Sequence, residues 1–163
     1  MLTEIRLKEL LNYDPSTGIF TWITKRGRGR VGNIAGNSWK GKYLRIRIDG
    51  KLYWCHSLAF LWMTGILPST VDHINRDGND NRWINLREAT IEQNAQNKSL
   101  TARNSSGYIG VYRCYTTGRW SSQIRSFGKV HWVGRFDTPE EAARARDVLA
   151  LNLHGSFAVL NFP

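Results

Sequence analysis

The sequence predicts an α+β fold made of two modules. In the first module, a short β-like run at residues 70–74 leads through a loop rich in Asn, Asp and Gly (75–81) into a short helix. In the second, three strand candidates precede one long helix, which is the order of an antiparallel sheet packed on a helix. Residues 99–107 (SLTARNSSG) have the small polar composition of a linker. We therefore predict modules at 1–98 and 108–163.

The first module begins with local patterns of helix and hairpin. Leucine and isoleucine recur loosely on one side of residues 2–12, which predicts a short amphipathic helix. Residues 43–54 alternate apolar and basic side chains around Asp49-Gly50, the dipeptide of a two-residue hairpin turn. An apolar run at 57–64 that is followed by glycine predicts a second helix.

The second module shows an equally regular pattern. Its strand candidates cover 108–113, 118–125 and 129–136. Thr138 and Glu141 then form the sequence of a capping box around a proline at the first helical position. Small alanines at helical spacing let this helix lie close to the sheet, and Gly155 ends it.

The middle strand of that sheet predicts a polar surface. Period-two alternation puts Arg119, Gln123 and Arg125 on one face, opposite the apolar face that the helix must cover. A β-ribbon fits the major groove of DNA, where Arg and Gln side chains can read base edges. The alternative is a sheet face that is merely solvated.

Charge narrows the class of partner. The chain has 23 basic and 13 acidic residues and a formal net charge of +10, which commonly signals contact with nucleic acid or an anionic membrane. No apolar run approaches the ~18 residues of a membrane span, so we expect no membrane partner. Residues 25–51 hold nine basic residues and one acidic residue. This imbalance favours a patch that tracks phosphates over a solvated hairpin surface; its DNA-binding residues would be Arg26, Arg28, Arg30, Arg45 and Arg47.

The two cysteines indicate whether a zinc site is expected and whether the cellular compartment is reducing. Cys55 and Cys114 are far apart and lack the C-x-x-C spacing of zinc sites. The N-terminal residues lack the features of a secretory signal. We therefore expect no zinc site and a reducing, cytoplasmic compartment.

Four polar side chains of the 70–97 stretch match the needs of phosphodiester hydrolysis, which are an attacking water, a base and positive charge against the oxyanion. Asp72 offers a carboxylate and Asn94 an amide oxygen, the ligand type that Mg²⁺ prefers. His73, with an ordinary pKa of about 6.5, suits a general base near neutrality. Asn85 is placed to hold the loop through backbone hydrogen bonds.

The same stretch carries a family resemblance. The pattern D-H-I-N-x-D-G-N-x-N-x-x-x-N-L-R, followed by a helix with N-x-x-N, closely resembles the HNH (ββα-metal) endonucleases of phage and intron-encoded type. The resemblance implies a ββα-metal nuclease module with one Mg²⁺, or alternatively Mn²⁺. It makes Asp72 and Asn94 the metal ligands, His73 the base and Asn85 the residue that orients the loop. Asn97, nearly one turn after Asn94, stays open as the helix ligand.

The second module resembles another family. Y-x-G-V, G-R-W-x-x-Q-I-R, W-V-G-x-F-D-T-P-E-E-A-A-R-A and a closing H-G-S-F-A-V-L-N-F-P are similar to the Apetala/ethylene-response-factor-type DNA-binding domain over nearly all of 107–163. Carried over by position, the family's contacts with double-stranded DNA fall on Gly110, Arg119, Arg125 and Trp132. Ile109, Tyr112 and Val130 stand where plant members usually have Arg, so the plant target sequence is not expected.

Together these features predict a sequence-directed DNA endonuclease that uses one divalent metal. The HNH resemblance implies an enzyme of homing or phage type, in the cytoplasm of a bacterial or phage-infected cell. A single active site per chain favours a monomer that nicks DNA. The alternative is a DNA-binding regulator whose nuclease module is catalytically inactive, and RNA binding is a weaker third option. Cutting that depends on a divalent metal separates the first hypothesis from the second.

Overall fold

A computed structural model describes residues 2–25, 30–96 and 104–163. Helices and small antiparallel sheets are mixed along the chain, which confirms the α+β class. The chain divides into two compact units, Met1–Thr90 and Ile91–Pro163. This division falls after residue 90, whereas the sequence predicts a boundary after residue 98. Most of the predicted linker lies outside the described residues, as do the predicted DNA contacts Arg26 and Arg28.

The described residues of the first unit form two α-helices, eight strands and a 3₁₀ turn at Trp83–Asn85. The strands form antiparallel sheets in the orders β1-β2-β3, β4-β5-β6 and β7-β8. In chain order the elements are α1 (Glu4–Leu10), β1 (Leu11–Asp14), β2 (Ile19–Trp22), β3 (Ile34–Ala35), β4 (Asn37–Trp39), β5 (Tyr43–Ile48), β6 (Lys51–Trp54), α2 (Cys55–Thr64), β7 (Val71–His73) and β8 (Leu86–Glu88).

Local sequence explains where several of these elements begin and end. The Thr3 hydroxyl accepts a hydrogen bond from the Arg6 backbone N–H at 3.2 Å, which caps α1. Asp49 and Gly50 both have positive φ, 46° and 81°, as a primed hairpin turn between β5 and β6 requires. Helix α2 ends at Gly65 in the left-handed conformation, as the sequence predicts.

A continuous apolar core joins the sheets of the first unit to both helices. Its most buried side chains include Leu7, Leu11, Phe20, Ile46, Ile48 and Leu58. Val71 of β7 and Leu86 of β8 belong to this core, so the short β7-β8 ribbon is anchored by burial at both strands. Trp83 packs edge-on against Phe60 of α2, with ring centroids 4.8 Å apart. These contacts fix the ribbon on the unit.

The second unit contains α3 (Ile91–Gln96), β9 (Val111–Arg113), β10 (Trp120–Ser126), β11 (Lys129–Phe136) and α4 (Pro139–His154), with sheet order β11-β10-β9. The predicted capping box is present: the Thr138 hydroxyl accepts from Glu141 N–H, and the Glu141 carboxylate accepts from Thr138 N–H, both at 3.3 Å. Helix α4 packs on the sheet through Ala142 and Ala143, which are fully buried.

A buried polar cluster ties the C-terminal segment to α4. Asp147 accepts hydrogen bonds from the backbone N–H of Asn161 at 2.7 Å and of Phe162 at 3.0 Å. The Arg146 guanidinium lies beside Asp147 and donates to the Val159 carbonyl. The Asn161 side chain in turn accepts from Ile109 N–H at 2.7 Å, so the tail also holds the segment that precedes β9.

No helix within the described ranges is both long enough and apolar enough to cross a membrane.

Candidate active site and nucleic-acid interface

Asp72 lies in the middle of β7 and is 3% exposed. Its neighbour across the ribbon is Arg87 of β8, because the strand register pairs these two residues. Arg87 Nε and Nη2 both lie close to Asp72 Oδ2, at 2.8 and 2.7 Å. A carboxylate is costly to bury alone, and this guanidinium compensates the charge. Arg87 therefore braces the Asp72 carboxylate.

His73 follows Asp72 at the end of β7 and is 6% exposed. Its Nε2 lies 3.3 Å from the side-chain oxygen of Asn81, which is itself fully buried. Burial lowers the pKa of His73 below its ordinary 6.5, opposed by the Asn81 hydrogen bond and by nearby carboxylates. The imidazole is therefore neutral at pH 7. In the tautomer that donates Nε2–H to Asn81, Nδ1 is the nitrogen that can accept a proton.

The two side chains have different surroundings, as alternation along a strand requires. Asp72 faces Arg87, whereas His73 lies in a cluster of rings. The His56 ring is edge-on to His73 at 5.1 Å between centroids, and the Tyr43 ring lies 6.1 Å from His73. Trp54 stacks on His56 at 6.1 Å.

His56 begins α2 and carries a strongly perturbed imidazole. Burial, followed by repulsion from His73, lowers the pKa of His56 to about 4. Its Nδ1 is buried and has no hydrogen-bond partner among the described residues. The structure shows the His56 ring packed between Trp54 and His73.

Asn85 closes the polar loop that follows β7. Its side-chain oxygen accepts from Asn75 N–H at 2.9 Å, and its amide group donates to the Asn75 side chain at 3.0 Å and to the Asp80 carbonyl at 2.8 Å. Its backbone carbonyl accepts from Ile74 N–H at 2.9 Å. Tyr13, from β1, donates its hydroxyl to the Asn81 carbonyl at 2.7 Å. Asn85 therefore fixes the start of the loop at Asn75 and its end at Asp80, and Tyr13 holds the adjoining Asn81.

The loop also contains an ion pair, Asp80 with Arg82, that was not predicted from the sequence. The Asp80 carboxylate accepts from Arg82 Nη2 at 2.6 Å and from the Asn75 side chain at 2.7 Å. The Arg82 hydrogen bond is the main reason that the pKa of Asp80 is lowered to about 2. Opposite charges two positions apart in a predicted turn were the signal that could have indicated this ion pair.

The predicted metal ligands lie in different parts of the chain. Asp72 belongs to the first unit, and Asn94 lies on α3, which groups with the second. Asn97, the open alternative, falls outside the described residues. Within residues 2–25, 30–96 and 104–163, no three His, Cys, Asp or Glu side chains converge on a metal position. The predicted ligands differ from such a cluster, because Asp72 offers a carboxylate and Asn94 an amide. Oxygen donors of these two kinds fit a hard divalent cation.

Three of the five arginines of the predicted basic patch, Arg30, Arg45 and Arg47, lie within the described residues. Arg45 and Arg47 lie on the same side of β5, because they are two residues apart. Arg47 is exposed and donates to the Gly50 carbonyl at 2.9 Å, while the Arg45 guanidinium lies 5.9 Å from the Trp39 ring centre. Arg30 is exposed.

The sheet of the second unit leaves one face open. Gln123 of β10 lies directly opposite Trp132 of β11, and Arg125 lies opposite Val130, so these four side chains share a face. Trp132 is 60% exposed and Val130 50%. The buried Ser122, Ile124 and Ser126 of β10 occupy the other face, as the predicted alternation requires. The predicted contacts Arg125 and Trp132 are therefore neighbours on one accessible surface.

Two other predicted contacts have structural partners. Arg119 Nε lies 2.9 Å from the Asp137 carboxylate, an exposed ion pair between the ends of β10 and β11. Gly110 has φ +76°, and its carbonyl accepts from Gln123 N–H at 2.9 Å. A Cβ on residue 110 would lie 2.4 Å from the Gln123 carbonyl oxygen, so only glycine fits against β10.

The chain thus combines an Asp-His strand end whose loop is held by Asn85 with an open sheet face that is backed by a helix. Residues 53–96 match the HNH endonuclease family, and residues 106–156 match the AP2 domain. The chain therefore carries an HNH endonuclease domain followed by an AP2 domain, which confirms both resemblances found in the sequence.

Individual relatives follow the same division. The chain is 38% identical over 93 residues to an ethylene-responsive transcription factor of Arabidopsis thaliana, covering 56% of this chain and 30% of that protein. It is 35% identical over 95 residues to a dehydration-responsive element-binding protein of Oryza sativa subsp. indica, covering 57% and 43%. It is 32% identical over 114 residues to an uncharacterized HNH endonuclease of Acanthamoeba polyphaga mimivirus, covering 69% and 58%. The chain thus spans less than two thirds of each relative.

Proposed function

We propose that this protein is a metal-dependent endonuclease that hydrolyses phosphodiester bonds in double-stranded DNA. The observation that carries the proposal is the position of His73. Its imidazole is buried next to the Asp72 carboxylate, which Arg87 holds, and it lies at the end of a strand whose following loop is fixed by Asn85. The match of residues 53–96 to the HNH endonuclease family supports the same conclusion.

In this proposal His73 accepts the proton of the attacking water. A general base must be unprotonated before it acts, and burial keeps the pKa of His73 below its ordinary value. Asn81 fixes the orientation of the ring through Nε2. Asn85 contributes by holding the loop, and so the end of β7, in one geometry.

Asp72 and Asn94 would hold one Mg²⁺, with Mn²⁺ as the alternative. This assigns β7, β8 and α3 to the ββα-metal arrangement of the family. When bound, such a cation supplies positive charge against the phosphate oxygens. Arg87 holds Asp72 through contacts to Oδ2, and these contacts fix the orientation of the carboxylate.

The AP2 sheet would hold the DNA. Arg125 and Trp132 on its open face, with Arg119 and the backbone of Gly110 at its edges, form the proposed contact with the duplex. The cationic residues of the first unit, Arg26, Arg28, Arg30, Arg45 and Arg47, would add phosphate contacts that do not depend on sequence.

The proposed enzyme is of homing or phage type and nicks DNA as a monomer. Its similarity to a viral HNH endonuclease supports the first part, and one Asp-His pair per chain supports the second. Linear plasmid that forms without a nicked intermediate would contradict nicking.

The proposal is tested with supercoiled plasmid. The wild-type chain should convert it to nicked circles with Mg²⁺ or Mn²⁺ and should not do so with EDTA, while His73→Ala should cut far more slowly. Binding without any cutting, under every metal condition, would favour the second candidate, an inactive DNA-binding regulator. The similarity to plant transcription factors is the observation that keeps this candidate in view.

The helix ligand can be assigned with two variants. Asn94→Ala should raise the Mg²⁺ concentration that half-maximal cutting requires, and Asn97→Ala should leave that concentration near the wild-type value. The reverse result would assign the site to Asn97. No change in either variant would remove the helix from metal binding.

A further inference from the structure

Three aromatic side chains cover one face of the β4-β5-β6 sheet. Trp39 of β4 lies opposite Tyr43 of β5, and Trp54 of β6 lies opposite Arg45, so these residues share a face. The Trp39 and Trp54 rings are 5.6 Å apart and the Tyr43 and Trp54 rings 5.8 Å apart, each pair edge-to-face. We call Trp39, Tyr43 and Trp54 the aromatic face.

The aromatic face is accessible. Trp54 is 37% exposed and Tyr43 38%, and the neighbouring Leu52 on the same side is 46% exposed. The other face of the same sheet carries Ile46 and Ile48, each 1% exposed, so the core is already complete without the aromatic side chains. Single exposed apolar residues are common, but a contiguous set of large rings usually marks a binding surface.

Charge indicates what the surface binds. The Lys40 ammonium lies 4.8 Å from the centre of the Trp39 ring, and the Arg45 guanidinium 5.9 Å from it. Residues 25–51 hold nine basic residues against one acidic residue. A ligand that offers flat π surfaces together with negative charge satisfies both features, and nucleic acid is that ligand.

The aromatic face is continuous with the candidate active site. The Tyr43 ring lies 6.1 Å from that of His73, and Trp54 stacks on His56, which is edge-on to His73. The loop after β7 also packs on this face, since a Cβ on Gly78 would lie 2.5 Å from the Tyr43 ring. A strand whose phosphate sits at His73 would therefore pass directly over these rings.

We propose that the aromatic face stacks on an unpaired base of the cut strand, close to the scissile phosphate. A base within a duplex has both π faces covered by its neighbours, so rings can stack on it only after it leaves the helix. Lys40 and Arg45 would then lie beside the adjoining phosphates. The part of this inference that places the cut at His73 rests on the proposed function. The stacking of the aromatic face on a base does not depend on it.

Photocrosslinking tests the contact directly. The full chain is bound to a DNA duplex with a central unpaired bubble that contains 5-iodouracil, irradiated, digested and mapped by mass spectrometry. We expect adducts on Trp39, Tyr43 or Trp54. Adducts confined to Trp132 or to other residues of the second unit would overturn the proposal.

Affinity measurements use a matched pair of variants on the same face. Trp54→Leu should weaken binding of the bubble DNA by about 5- to 150-fold, the range for loss of one base–aromatic stack. Trp54→Phe should restore most of the affinity, and Leu52→Ala, which removes no ring, should leave it unchanged. Thermal unfolding of each variant checks that the fold persists. Equal losses in Trp54→Leu and Leu52→Ala would overturn the proposal.

The two proposals fail in different ways. If the chain does not cut with any metal but the crosslinks appear on the aromatic face, the nuclease assignment fails and the stacking stands. If the chain cuts with Mg²⁺ but Trp54→Leu binds bubble DNA as the wild type does, the stacking fails and the nuclease assignment stands.

Discussion

The two regions proposed to act on DNA hold their key side chains in opposite ways. In the nuclease-type site, Asp72, His73 and Asn85 are all at most 6% exposed, and Asp72 and Asn85 are held by several hydrogen bonds each. On the AP2 sheet, Trp132 is 60% exposed and Arg119 belongs to an exposed ion pair. Chemistry on a phosphate needs fixed groups with perturbed pKa values, whereas contact with DNA needs accessible cations and rings.

This difference has an energetic consequence. Substitutions in the buried site should change the free energy of unfolding as well as activity, because each removes a partner of a desolvated group. Substitutions on the open sheet face should change DNA affinity with little effect on unfolding. The predictions below are ordered by the size of the expected effect.

The largest effect is expected for Arg87→Met. It removes the guanidinium from a carboxylate that is 3% exposed, and breaking such a buried pair costs roughly 3–5 kcal/mol. The matched variant Arg119→Met breaks a pair whose side chains are 49% and 79% exposed, and should cost at most about 0.5 kcal/mol. Urea unfolding followed by tryptophan fluorescence measures both. Similar losses in the two variants would remove the proposed distinction between the regions.

His56 should make the first unit sensitive to acid. Its pKa is 6.5 unfolded and about 4 folded, so the unfolded chain binds the proton more tightly, and stability is lost as pH falls from 6.5 towards 4. The contribution is about 3 kcal/mol at its limit. His56→Phe should flatten this part of the stability profile and leave its slope above pH 7 unchanged. An unaltered acid slope would show that His56 titrates normally.

Gly110→Ala should separate a packing role from a DNA contact. The new Cβ would meet the Gln123 carbonyl oxygen at 2.4 Å, at a φ that alanine rarely adopts. We expect a destabilisation of about 2 kcal/mol or more in the second unit. Thermal unfolding of the variant measures it. Full stability with weakened DNA binding would instead make Gly110 a direct contact.

Arg119→Ala and Arg125→Ala should each weaken duplex binding by about 1–3 kcal/mol if they read bases. Lys129→Ala is the control, because its strand partner Ser126 is buried on the helix side of the sheet. Titration on a fixed duplex at constant salt gives the affinities. Unchanged affinity and footprint in both arginine variants would show that the sheet face is not the reader.

Signals that lie within a few residues were sufficient to predict much of the fold. The capping box of α4, the glycine that ends α2, the Asp49-Gly50 hairpin and the bounds of β11 are all as predicted. Each depends on backbone conformation that its own residues determine. Strand β9 is shorter than predicted because tertiary packing of Gly110 against β10 governs its start.

The sequence could indicate contacts within the candidate site only where the residues are close along the chain. Asp72, His73, Asn85 and the Arg87 brace lie on one strand–loop–strand segment, and their contacts follow from it. The rings around His73 come from β5, β6 and α2, at least 17 residues earlier, and only the folded chain brings them together. Strands β4 and β5 carry one aromatic residue each, and the two of β6 are adjacent, so no periodic pattern in the sequence indicated this cluster.

The central claim is that one region cuts and the other holds. It is tested most directly by measuring, on one duplex, both the dissociation constant and the cleavage rate of the bound DNA for wild type, His73→Ala and Arg125→Ala. We predict that His73→Ala binds normally and cuts at least about 10²-fold more slowly. Arg125→Ala should bind more weakly and, once saturated, cut at the normal rate. Cleavage by His73→Ala at the wild-type rate would contradict the account.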